Sequence, residues 1–145
     1  MTDIKGWAWS GVPGADVPKV WNDIWPLLSP CVDLDGGRYD EDTLFEALRL
    51  GDLQLWVAGD GAYPPRLAVT TEIRVYPCQK WLNIKYVGGQ GLPFAFDFLG
   101  TIEAWAREQG CCGCEGYGRD EWARLLSKHG YRERGRGYQK RFQDA

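Results

Sequence analysis

Lys80-Trp81-Leu82-Asn83-Ile84-Lys85-Tyr86-Val87-Gly88-Gly89-Gln90-Gly91-Leu92-Pro93 is the stretch on which the fold turns. Its first eight residues alternate well enough to be a half-buried strand. Gly88-Gly89-Gln90-Gly91 then interrupts the strand, and Pro93 opens a helix expected to run to about Gln109. A glycine loop feeding a helix N-terminus presents free backbone N–H groups at the positive end of the helix dipole, which favours a phosphate. Three glycines in four residues also make a plain turn that needs no ligand. The loop alone leaves both readings open.

Upstream, Arg66 to Tyr76 reads as a long strand. Leu67, Val69, Thr71, Ile73 and Val75 share one face, with Arg66, Ala68, Thr70, Glu72 and Arg74 on the other. Leu53 to Ala58 forms the strand before it, and a hairpin through Pro77-Cys78-Gln79 leads into Lys80. Three antiparallel strands followed by a helical crossover predict an α/β sheet of mixed, mostly antiparallel direction flanked by helices. Phe94, Phe98, Ile102 and Trp105 recur at helical spacing, as a helix covering a sheet requires. Ile4 to Trp9 suits a short first strand, and Gly11 to Gly14 a turn. Asp16 can cap a helix through Trp25, which Pro26 stops or kinks, with Val20, Ile24 and Leu27 on the buried side. Ser29 to Gly37 reads as loop. Asp40 caps a second helix, with Gly51 suited to its C′ position.

The chain of 145 residues fits one domain spanning 1–145, and 44% apolar with 26% charged residues is ordinary globular composition. Charge is unevenly placed. Residues 1–60 carry four basic and eleven acidic side chains, whereas residues 119–145 carry eight basic and four acidic. An acidic front argues against a general nucleic-acid binder. Eight tryptophans, at 7, 9, 21, 25, 56, 81, 105 and 122, suit core or interface anchors. Cys111-Cys112-Gly113-Cys114 has no second Cys or His pair at finger spacing, so no metal site is expected. Five cysteines fit a reducing compartment. No segment has transmembrane length, and Met1-Thr2-Asp3-Ile4-Lys5 lacks a signal-peptide layout. The expected location is the cytoplasm or a virion.

Past the glycine loop, Cys112 to Tyr117 gives a short strand, Arg119 to His129 a short amphipathic helix ending in Gly130-Tyr131, and Gly137-Tyr138-Gln139-Lys140-Arg141-Phe142 a closing basic strand. This order resembles the C-terminal half of the GNAT superfamily of acyl-CoA-dependent N-acyltransferases, in particular its degenerate members in tailed bacteriophages. The resemblance covers residues 53–142 in order of elements. It implies acetyl-CoA as co-substrate, with the diphosphate on the backbone of Tyr86, Val87, Gly88, Gly89, Gln90, Gly91 and Leu92, and an acceptor site built by the paired helices ahead of the sheet. The loop is compressed and carries no arginine. The family's tyrosine acid falls at Leu126, and its asparagine near Arg119.

Acyl transfer to an amine needs a base for the amine and a proton for the leaving thiolate. Glu72, mid-strand on the polar face, is the expected base; the competing expectation pairs it with Lys85 across the hairpin. Tyr138, with Tyr131 beside it in the sequence order, is the expected replacement acid. His129 suits capping at a helix C-terminus. The activity implied is N-acyl transfer, whole or eroded, to a small amine or a protein. The rival is an inactive virion or assembly protein that keeps the fold for protein contacts, exposing Trp7, Trp9, Trp21 and Trp25 for a partner to cover.

Overall fold

A computed structural model of the chain describes residues 8–60, 64–90, 99–118, 122–135 and 137–142. Strand β1 (Ala8–Val12) leads through a single 3-10 turn into helix α1 (Val17–Leu34) and helix α2 (Glu41–Leu50). Strands β2 (Gln54–Gly59), β3 (Leu67–Val75) and β4 (Lys80–Gly89) follow, then helix α3 (Leu99–Glu108), strand β5 (Gly113–Gly116) and helix α4 (Ala123–Lys128). The five strands form one sheet in sequence order. Pairing is antiparallel from β1 to β4 and parallel between β4 and β5. The sheet is therefore mixed and mostly antiparallel, as expected.

Helix α1 corrects the sequence expectation most. It does not stop at Pro26, and 29–34 is helix rather than loop, with Pro26 and Pro30 both inside it. Val17, Trp21, Ile24, Leu28 and Val32 recur at helical spacing and are all buried. Each internal proline costs a helix about 3 kcal/mol. Both sit on the exposed side, where water can serve the carbonyls they leave unpaired. The buried stripe outweighs them. Val20 and Leu27 are only partly buried against this core, and Asp16 makes no capping bond. Helix α2 follows expectation, with a reciprocal Asp40–Thr43 capping box and Gly51 left-handed at φ 85°.

Both sheet faces are covered. Helices α1 and α2 pack on the face carrying Leu55, Ala68 and Tyr86. Leu99, Ile102 and Ala106 of α3 pack on Trp56, Val69 and Leu82 of the other. Trp105 meets the Trp56 ring edge-on, while Phe94 and Phe98 lie outside the described residues. The expected first strand is shifted to Ala8–Val12, so Gly11 pairs rather than turns; Ile4 to Trp7 are outside the described residues. Residues 137–142 form no strand, correcting the closing strand expected there. Among the described residues, no helix is long and apolar enough to cross a membrane.

Candidate active site

The centre of β4 is where the sheet splits. From Trp81 to Ile84 it pairs with β3 on one side and with Gly113–Gly116 of β5 on the other. At Lys85 the ladder with β3 slips: Thr71 faces Ile84 while Thr70 faces Tyr86, leaving Lys85 as the extra residue of a bulge. A bulge bends the strand and raises its local twist. The Thr70 hydroxyl accepts the Tyr86 N–H at 3.1 Å, which pins the irregularity. Beyond it, β4 continues to Gly89 along β3 alone, because pairing with β5 ends at Ile84–Gly116. Gln90 N–H bonds to Arg66 C=O, so the alternation of an antiparallel ladder turns the amides of Val87 and Gly89 away from β3. No described strand runs beside them.

The result is a wedge between diverging strands, holding a cavity of about 70 Å³. Ile84 and Val87 of β4, Leu99 of α3, and Trp122 and Leu126 give it an apolar lining. Among the described residues, Glu115, Tyr117 and Tyr131 are the lining residues with polar side chains. Glu115 alternates with Cys114, which packs toward α3, so its side chain lies on the α1/α2 face of the wedge. Glu115 sits opposite Asn83, which in turn faces Glu72, so one row of the sheet carries Glu72, Asn83 and Glu115 across three strands. Glu115 accepts the Tyr76 hydroxyl at 3.4 Å, and Glu72 accepts Arg74 Nε at 3.0 Å. Tyr131 donates its hydroxyl to Glu103 of α3 at 2.7 Å. Burial first, and then that hydrogen bond, raise its phenol above the ordinary range, so it keeps its proton at neutral pH.

The structure separates the residues singled out from the sequence. Glu72 does not line the cavity, and its partner is Arg74 of its own strand rather than Lys85. Tyr138 is 94% exposed and is not among the lining residues. Leu126, at the family's acid position, does line it, but brings no proton. Of the expected cofactor stretch, Val87 faces the cavity, while Tyr86 is buried with its hydroxyl on Asp35 at 2.5 Å. Gly88 and Gly89 are strand, correcting the expected loop. A Cβ on Gly88 would lie 1.9 Å from the Leu27 carbonyl oxygen, and one on Gly89 2.2 Å from that of Arg66. These glycines let backbones approach closely. Gly91 and Leu92 lie outside the described residues. Glu115 went unnoticed in the sequence because only the strand pairing brings it to the wedge.

Among the described residues, no three His, Cys, Asp or Glu side chains come together to hold a metal. The apolar lining fits the arm of an acyl-CoA, a neutral, flexible chain. Val87, whose carbonyl accepts the Cys31 thiol at 2.9 Å, turns its backbone away from β3 along one wall. Arg66 offers a cation near the far end of β4, with its guanidinium 3.5 Å from the Gln90 side chain.

No family model matches the sequence, nor does any curated protein. Solved structures do match along nearly the whole chain. An aminoglycoside acetyltransferase from an uncultured soil metagenomic sample, in complex with trehalose, superposes with a TM-score of 0.72 at 12% identity, covering 97% of this chain and 100% of that one. Glucosamine-6-phosphate N-acetyltransferase from Arabidopsis thaliana gives 0.65 at 17% identity, over 94% and 99%. A GNAT family acetyltransferase from Staphylococcus aureus gives 0.64 at 13% identity, over 94% and 99%. The fold is GNAT-like. At such identities the likeness is one of fold, and the site must carry any function.

Proposed function

We propose that the chain is an acyl-CoA-dependent N-acyltransferase. The observation that supports this most is the wedge itself, an apolar slot opening at a bulge in β4 where pairing with β5 ends, in a GNAT-like sheet. Acyl-CoA would enter as co-substrate and supply an activated thioester carbonyl. The amides of Val87 and Gly89 would bind its arm as a missing strand would. Ile84, Leu99, Trp122 and Leu126 exclude water from it. Among the described residues, Glu115 is the carboxylate at the cavity, on the α1/α2 side of the wedge, and we assign it the acceptor amine's proton, directly or through a water. Glu72, in the same row, is the second candidate. Tyr131 stands where a departing thiolate can take a proton, with Glu103 fixing the ring.

A purely protein-contact role, in a virion or another assembly, finds less support. Trp21 is buried, and Trp9 and Trp25 are partly buried, so this chain already covers most of the proposed anchors; Trp7 is outside the described residues. Titration with acetyl-CoA tests the enzyme reading. Heat of binding and a raised melting temperature are expected, since a ligand that binds only the native state stabilises it. No binding at millimolar concentration would sink it.

A further inference from the structure

Lys85, the extra residue of the β4 bulge, marks a second site on the face covered by α1 and α2. Its Nζ lies 5.3 Å from the ring centroid of Tyr39 and 5.7 Å from that of Tyr86. Tyr39 comes from the connection between the two helices. The rings meet edge to face, 6.3 Å apart at 87°. Aromatic faces attract cations through their quadrupole. Carboxylates reinforce them. Asp35 accepts the Tyr86 hydroxyl, and Glu72, Asp52 and Asp35 lie close enough to act on Tyr39, whose phenol is raised by burial first and by those charges next. Arg38 and Arg74 pair with Asp35 and Glu72, so the acidic field is moderated, not cancelled.

The corner is thus suited to an ammonium ion, and the chain's own lysine supplies one. Lys85 and Tyr39 are only partly buried, so the site can be reached from solvent when the flexible lysine stem swings aside. We propose that Tyr39, Tyr86 and Asp35 form an ammonium subsite for acceptors that carry two amines, with Lys85 as its displaceable occupant. This rests on the acyl-transfer reading for its purpose. An amine must be neutral to be acylated, whereas this corner selects a charged one, so the two groups belong to different ends of one molecule. Residues 1–60, with four basic against eleven acidic side chains, supply both helices and a field that draws dications.

The test needs no coenzyme. Calorimetry would measure 1,4-diaminobutane binding to wild type, Lys85→Met and Lys85→Gln, with 1,4-butanediol as the uncharged control. Emptying the corner should tighten diamine binding roughly fivefold, the scale of one half-buried cation–π contact. The gain should vanish in Lys85→Met combined with Tyr39→Leu, and the diol should not respond. Equal or weaker binding in a folded Lys85 variant, or a gain that survives Tyr39→Leu, would overturn the proposal. Lys85→Gln keeps polarity without the charge and carries the test if Lys85→Met folds poorly. Acetyl-CoA binding, measured separately on wild type, shows whether a failure belongs to this subsite or to the acyl-transfer reading.

Discussion

The two ends of β4 differ in what each does with its backbone. Lys80 to Ile84 is closed in by strands on both sides, and its side chains feed the core through Leu82. Among the described strands, Tyr86 to Gly89 pairs with β3 alone, and α1 presses on it from one face, with the Cys31 thiol donating to the Val87 carbonyl. One strand thus anchors the sheet at its start and leaves it open at its end. The bulge at Lys85 divides the two, and it places Ile84 and Val87 on the cavity wall while Tyr86 enters the opposite core. A regular strand would put Tyr86 and Ile84 on the same face, because the side-chain period is two. The inserted residue changes that parity.

The largest effect should come from the open end's tightest contact. Gly88→Val places a branched side chain against the Leu27 carbonyl, where even a Cβ would sit at 1.9 Å. Backbone must move to admit it. A loss of roughly 3 kcal/mol is expected, with the melting temperature falling by about 10 °C. An unchanged melting temperature would mean that α1 is not seated on this end of β4, and that the wedge lacks its support.

That contact also shows why some of the site was legible in the sequence and some was not. The alternation from Lys80 to Val87 located β4, and the long Arg66–Tyr76 run located β3, since period-two patterns survive folding. Gly88 and Gly89 were misread because a glycine pair in sequence looks the same in a turn as under a helix crossing. Their place after an alternating strand was the available signal. Pro26 misled for a related reason: local propensity ends a helix there, but the Ile24, Leu28 and Val32 stripe continues through it. Glu115 carried no local signal, and Tyr131, named beside Tyr138 as a replacement acid, could not be ranked above it by sequence. Only the parallel register of β5 and the return of the chain past α4 bring them to the wedge.

Next in size is the distinction between carboxylates on the two sides of Asn83. If transfer occurs, Glu115→Gln should lower kcat by about 10²-fold with coenzyme affinity nearly intact, as removal of a general base does. Glu72→Gln should cost less, since Glu72 already holds Arg74 and lies off the cavity. The reverse order in steady-state kinetics would move the reacting centre along that row, from the wedge to β3. A smaller change is expected for Tyr131→Phe, roughly tenfold in kcat, because a thiolate leaves readily and water can supply its proton. Equal activity of Tyr131→Phe and wild type would leave Tyr131 with only its tie to Glu103.

The smallest expected effect tests the closed end. Cys114 of β5 lies opposite Leu82, partly buried, and its thiol is pushed from an ordinary 9.0 up to about 11, by burial first and the charge of Glu103 second. The folded chain therefore holds that proton more tightly than the unfolded chain does. The resulting stability is fully present below about pH 9 and is lost as the pH rises toward about 11. Wild-type melting temperature should fall across that window more steeply than that of Cys114→Ala. Tyr86 is raised as well but is common to both proteins, whereas Tyr131 is coupled to Cys114 and loses part of its own rise with the substitution, so the difference in slope reports the thiol and that phenol together. Parallel curves would mean that water reaches the paired end of β4 as freely as it reaches the wedge, and the contrast between the two ends would then rest on hydrogen bonding alone.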